Sequence, residues 1–192
     1  MLIALEGSSP TISGGNNYKY YVWDIYKATR QTPKRYIEGP AAISWGPSPV
    51  NIRKMANEAT AFIKKNSGKI FLVGWSRGAA GCIQVALDLK RANYSKKIDA
   101  MFLFDAVDQD GSTSDFLNYV PSNVKTCYHA IATDKSWLDR RIFPTCGKTA
   151  ASSVKFIKKD FHATHGGIAG AGSSDGGSKP WMWSHLKREG VL

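Results

Sequence analysis

Apolar residues recur along the chain as short unbroken runs: LIALE (2–6), KIFLVGW (69–75), IDAMFLFDAV (98–107) and VKTCYHAIAT (124–133). A strand with one wet face would alternate polar and apolar positions. These runs do not, so each predicts a strand buried on both faces. RYIEGPA (35–41) and SVKFIKKDF (153–161) predict two weaker strands. The segments between them change period. YKYYVWDIYKAT (18–29) predicts a helix with an aromatic face, after a loop at SSPTISGGNN (8–17). GPSPV (46–50) offers Ser48 as a cap and Pro49 at the first helical position, with a helix to about Asn66 that buries Val50, Ala59, Phe62 and Ile63. AAGCIQVALDLKRA (79–92) places Ala79, Ile83, Ala86 and Leu87 on one face. KPWMWSHLKREGV (179–191) predicts a closing amphipathic helix whose tryptophans pack on the core.

Strands alternating with helices, and apolar throughout, predict a mostly parallel, doubly wound α/β sheet of about six strands with helices on both faces. The length of 192 residues suits one domain spanning the whole chain. In such a sheet, functional groups sit in loops leaving the carboxyl ends of the strands. That rule is a geometric filter for each candidate below.

Composition narrows the classes. The net charge of +11 is spread as basic pairs, among them Lys64-Lys65, Lys90-Arg91, Arg140-Arg141 and Lys187-Arg188. Several fall where helices should end, the place the helix dipole favours. A basic surface also suits peripheral contact with an anionic membrane. No groove-binding motif appears, so no nucleic-acid partner is expected. No apolar run approaches the roughly 18 residues that span a bilayer. The start, MLIALEGSSP, reads as a strand rather than a leader, which predicts a cytoplasmic protein or one exported without a Sec signal. Three cysteines without CxxC spacing predict reduced thiols, with Cys127–Cys146 the one pairing worth weighing.

The chemistry starts at GWSRG (74–78). The pattern is short, but it leaves a central strand directly and enters a helix directly, as a nucleophile elbow must. A serine on so tight a turn is strained, and glycines two residues either side let strand and helix approach. Ser76 is the candidate nucleophile, and the Arg77 N–H at the helix start is a candidate oxyanion donor.

A serine nucleophile needs a base, and the base an orienting acid. His129 lies inside an apolar strand and reads as a satisfied core histidine; His185 lies in the closing helix. His162 and His165 follow the last strand, in DFHATHGGIAGAG, and either passes the carboxyl-end filter. Among the acids, Asp105 and Asp134 end strands, and Asp108 lies just past the first. The order Ser, acid, His is that of α/β-hydrolases. A metal site on Asp160, His162 and His165 has loose spacing and no second carboxylate, so neither metal nor cofactor is expected.

Together these segments are similar to the α/β-hydrolase domain of the type VI secretion phospholipase effectors and their relatives. GWSRGA matches that family's elbow, FDAV its FDTV, HAIATDKSWLDRRIFP its HAxAxDE…FxP, and FHATHGGIAGAG its FxGxHSDVGGG. EGSS stands at the family's opening acidic-Gly-Thr, and PWMWSHL at its closing Trp-Met helix. The resemblance implies a minimal α/β-hydrolase-like fold without a large lid. It makes Ser76 the nucleophile, His165 the base and Asp105 the acid, with Asp134 as the alternative acid. It implies that the Gly7-Ser8 turn lends the second oxyanion amide. The chain departs from the family at Gly166-Gly167, where the family has Ser-Asp, and at Lys135, where it has Glu.

The function expected is therefore a serine esterase or lipase acting on carboxylic esters, with lipid or phospholipid acyl esters as the substrate class. The alternative is a catalytically weak or inactive binding protein on the same fold, since a fold does not by itself carry an activity.

Overall fold

The computed structural model describes residues 1–8, 20–40, 50–109, 112–136, 141 and 144–192. Six strands form the main sheet: β1 (Leu2–Leu5), β2 (Lys34–Ile37), β3 (Phe71–Trp75), β4 (Ile98–Phe104), β6 (Val124–Ala132) and β8 (Lys155–Phe161). Their order is β2-β1-β3-β4-β6-β8 and every neighbouring pair is parallel. A second, two-stranded ladder pairs β5 (Tyr119–Val120) with β7 (Thr149–Ala150). Among the described residues four α-helices pack around the main sheet: α1 (Tyr21–Ala28), α2 (Ile52–Lys65), α3 (Arg77–Arg91) and α4 (Ser178–Arg188).

Alternate residues of each strand serve opposite layers. Ile3, Leu5, Leu72, Met101, Leu103 and Cys127 meet Ile52, Met55, Ile63, Ile83 and Leu89 of α2 and α3. Leu2, Ala4, Phe71, Val73, Phe102 and Tyr128 meet Val22 and Ile25 of α1 and Met182 and Leu186 of α4. Burial on both faces is why the strands are apolar at successive positions. Trp181 and Trp183 pack partly buried against the second layer. Basic pairs close α2, α3 and α4, opposite in sign to the dipole end they occupy. The three cysteines are buried and free. No helix among the described residues is long and apolar enough to cross a membrane.

The helix expected from Ser48 starts later. Its cap is Asn51, in extended backbone, whose side chain accepts the Lys54 N–H at 2.9 Å; Ser48 and Pro49 lie outside the described residues. An asparagine accepting from the third helical amide satisfies one of the orphan donors of the first turn. Strand β2 is also shorter than the pattern predicts and stops at Ile37. Just beyond it, a Cβ on Gly39 would lie 1.7 Å from the Gly7 carbonyl oxygen, so only glycine fits that approach.

The strand order has a consequence for function. From β1 the chain crosses to β2 on one side; from β3 it crosses to β4 on the other. The reversal opens a crevice at the carboxyl ends of β1 and β3, where doubly wound sheets take their ligands. Glu6-Gly7 and Ser76 stand there.

Candidate active site

Ser76 joins β3 to α3 with φ 55° and ψ −126°. A side-chain-bearing residue in that region carries about 1–3 kcal/mol of strain and persists only where its surroundings hold it. Three backbone hydrogen bonds do so. Ser76 N–H donates to Phe104 O at 3.0 Å, and Ser76 O accepts from Val107 N–H at 3.1 Å and Ala80 N–H at 3.0 Å. Gly78 is required next to it: a Cβ there would lie 2.1 Å from Leu5 O.

The Ser76 hydroxyl lies 2.9 Å from His165 Nε2, and His165 Nδ1 lies 2.6 Å from Asp105 Oδ2. With Nδ1–H donating to the carboxylate, Nε2 carries the lone pair that faces the hydroxyl. His165 is itself held from above: Trp75 Nε1–H donates to its carbonyl at 3.0 Å, and the two rings lie 5.7 Å apart. Gly167 in the following 3₁₀ turn donates its N–H to Thr164 Oγ1 at 3.0 Å. A Cβ on Gly167 would lie 2.3 Å from Ser174 O, which accounts for a glycine where the resembled family has an aspartate.

Asp105 follows β4 at φ 38°, and its N–H donates to Ala130 O at 2.7 Å. Its carboxylate is fully buried and accepts three side-chain donors. His165 Nδ1 and Lys135 Nζ (2.7 Å) share Oδ2, and Thr145 Oγ1–H donates to Oδ1 at 2.8 Å. Burial opposes ionisation of this carboxyl. The hydrogen bond and charge of His165, with Lys135 beside them, outweigh burial and hold it below its ordinary value.

Asp134 is elsewhere. It faces His162 Nδ1 at 3.4 Å, and the side chains of both are well exposed. The structure thus brings Asp105, not Asp134, to His165, and leaves His162 outside the chain of hydrogen bonds. His129 is fully buried and neutral in character. Burial lowers its basicity, Nε2 accepts the Ala106 N–H at 3.1 Å, and Nδ1 stands 2.9 Å from Gly147 O. It props the backbone immediately after Asp105. Among the described residues no cluster of His, Cys, Asp and Glu suits a metal ion.

The β1 side of the crevice is built by Glu6, Gly7 and Ser8, the last two being the turn expected to lend the second oxyanion amide. Gly7 lies against the serine: a Cβ on it would sit 3.1 Å from Ser76 Cβ and 2.5 Å from the Trp75 ring. Gly7 N–H donates to Glu6 Oε1 at 3.0 Å, and Tyr36 OH donates to Glu6 Oε2 at 3.1 Å. Burial pushes the Glu6 carboxyl up to about 8 despite those two donors. Arg77 Nε–H donates to Ser8 Oγ at 2.8 Å, which ties the helix start to the turn after β1. Lys135, Thr145 and Glu6 are the groups missed as site members. A lysine beside a strand-ending aspartate was the available signal for the first, but only the adjacency of β4 and β6 places it at Asp105.

No family model and no curated protein matches the chain. Solved structures do match it in fold. A Vlm2 thioesterase domain with a bound dodecadepsipeptide superposes with a TM-score of 0.52 at 12% identity, covering 100% of this chain and 95% of that one. The wild-type Vlm2 thioesterase domain gives 0.51 at 14% identity, with 100% and 93% covered. RedJ, with a PEG molecule in its active site, gives 0.51 at 12%, with 98% and 91% covered. The fold is α/β-hydrolase-like, as the resemblance implies.

Proposed function

We propose that the chain is a serine hydrolase that cleaves carboxylic esters, with acyl esters of lipids or phospholipids as its substrate class. One observation carries the reading. A strained serine at a strand–helix turn is hydrogen-bonded to a histidine, and the histidine to a buried aspartate, at the carboxyl ends of parallel strands.

In this reading the Ser76 oxygen attacks the ester carbonyl carbon while His165 Nε2 takes its proton. Negative charge gathers on the carbonyl oxygen. The Arg77 N–H, backed by the α3 dipole, stabilises it, as does an amide of the Gly7-Ser8 turn. In the resting site Gly7 N–H is donated to Glu6, so Ser8 is the amide assigned from that turn. Each such donor contributes about 3–4 kcal/mol in comparable sites. His165 then gives its proton to the leaving alcohol. Water, activated by the same histidine, releases the acid from Ser76. Asp105 keeps the proton-bearing Nδ1 pointed away from the serine and stabilises the imidazolium.

The likeness to a thioesterase domain supports acyl cleavage on this fold, and the +11 charge supports an anionic lipid surface as the place of work. The test is labelling with a fluorophosphonate probe, followed by a chain-length series of nitrophenyl esters, on wild type and Ser76→Ala. The expected result is a covalent adduct on Ser76 in the wild type alone, and turnover rising with acyl length. Absence of an adduct, or equal turnover by both proteins, overturns the reading.

A further inference from the structure

Asp105 bears a second cation. Lys135 Nζ lies 2.7 Å from Oδ2, the same oxygen that accepts His165 Nδ1 at 2.6 Å, and its side chain is 6% exposed. Lys135 also donates to Thr145 Oγ1 at 2.6 Å, and Thr145 donates to Asp105 Oδ1, closing a ring around the carboxylate. A lone buried aspartate would lend its whole charge to an imidazolium. Here that charge is already matched by a fixed ammonium close to the imidazole.

We propose that Lys135 is a positioning residue that sets the protonation of His165, so that the base stays neutral, and the site stays competent, further into acid than a histidine facing an aspartate alone. The proposal rests on the hydrolase reading above. Its physical content is repulsion. A protonated His165 shares one carboxylate oxygen with a lysine, in a site with little water to screen them. The same lysine lets Asp105 stay ionised without relying on the histidine for its only counter-charge. Other ionisable groups act on this ring: His129 from β6, and Cys146, with Asp108 near it, from the loops beside β4. None of them touches the shared oxygen in a described contact as Lys135 does.

The experiment is the pH dependence of kcat/KM on a soluble nitrophenyl ester, and of the His165 ring proton resonance, for wild type and three variants. Lys135→Met removes the charge and the donors. Lys135→Gln removes the charge and keeps donors. Lys135→Arg keeps the charge. The expected result is that the acid limb and the ring titration both move up by about 1 pH unit or more in the Met and Gln variants and stay near wild type in the Arg variant. Coincident limbs in all four proteins overturn the proposal, as does failure of both neutral variants to fold, which would make Lys135 a purely structural counter-ion. A wild type that takes no fluorophosphonate on Ser76 sinks the hydrolase reading instead. A wild type that is labelled but shows an unmoved limb in the neutral variants sinks only the role of Lys135.

Discussion

Ser76 and Asp105 directly follow two paired strands, and each sits in the positive-φ region that side-chain-bearing residues rarely use. Both have positive φ, 55° and 38°, and they are stitched by the bond from Ser76 N–H to the carbonyl of Phe104, the residue before Asp105. Each turn lifts a side chain out of the sheet toward His165. The geometry of one depends on the backbone of the other.

Strain at Ser76 gives a stability test separate from activity. Glycine adopts φ 55° and ψ −126° without a Cβ penalty, at a cost in unfolded-chain entropy. Ser76→Gly is expected to be about 1 kcal/mol more stable than wild type in urea unfolding, because the strain relieved exceeds that entropy. It is also expected to lose fluorophosphonate labelling. A variant less stable than wild type would show that the turn is not strained.

The two aspartates separate cleanly. Asp105→Asn is expected to lower kcat by roughly 10³–10⁴-fold, because the amide no longer holds the productive tautomer of His165. It also removes the buried carboxylate charge that faces Lys135 Nζ at 2.7 Å, so a stability loss of about 3 kcal/mol should accompany it. Asp134→Asn alters a well-exposed carboxylate beside Thr133 and His162 and should stay within a few-fold of wild type on both measures. The reverse ranking of the two variants would reassign the acid.

Glu6 makes stability depend on pH. Its carboxyl ordinarily titrates near 4.5 and is pushed up to about 8 in the fold by burial. Between those values the folded chain holds a proton that the unfolded chain has released. The stabilisation is therefore complete below 4.5 and is lost as pH rises toward 8, at up to about 1.4 kcal/mol per pH unit. Glu6→Gln has nothing to titrate. The difference in unfolding free energy between wild type and Glu6→Gln, measured by denaturant at pH 5, 6.5 and 8, should fall steadily across the series. A constant difference would show that Glu6 is ionised throughout.

Strands and helices were legible where burial left a one-dimensional trace: an apolar run for β3, β4 and β6, and small residues after Ser76 where α3 meets the sheet. The elbow was legible for the same reason, since its parts are consecutive. Position alone did not separate His165 from His162, because both occupy one loop at the right end of the sheet; the family resemblance chose His165, and the Trp75 contact and the Asp105 bond are the physical distinction. Lys135 and Thr145 reach Asp105 from other loops, and Glu6 reaches Tyr36 across 30 residues, so no local pattern marks them. Helix α2 begins at Asn51 because an amide-accepting side chain three residues before Lys54 makes a usable cap.

The last strand of the main sheet has a consequence for how molecules of this protein meet one another. Among the described residues β8 pairs with β6 alone, and Lys158, Lys159 and Asp160 are exposed in succession along it. An open row of backbone donors and acceptors invites a strand from another copy to dock. Two adjacent ammonium groups on that row make the approach of an identical edge repulsive. This lysine-bearing edge strand is thus also the sheet's guard against growing by one more strand.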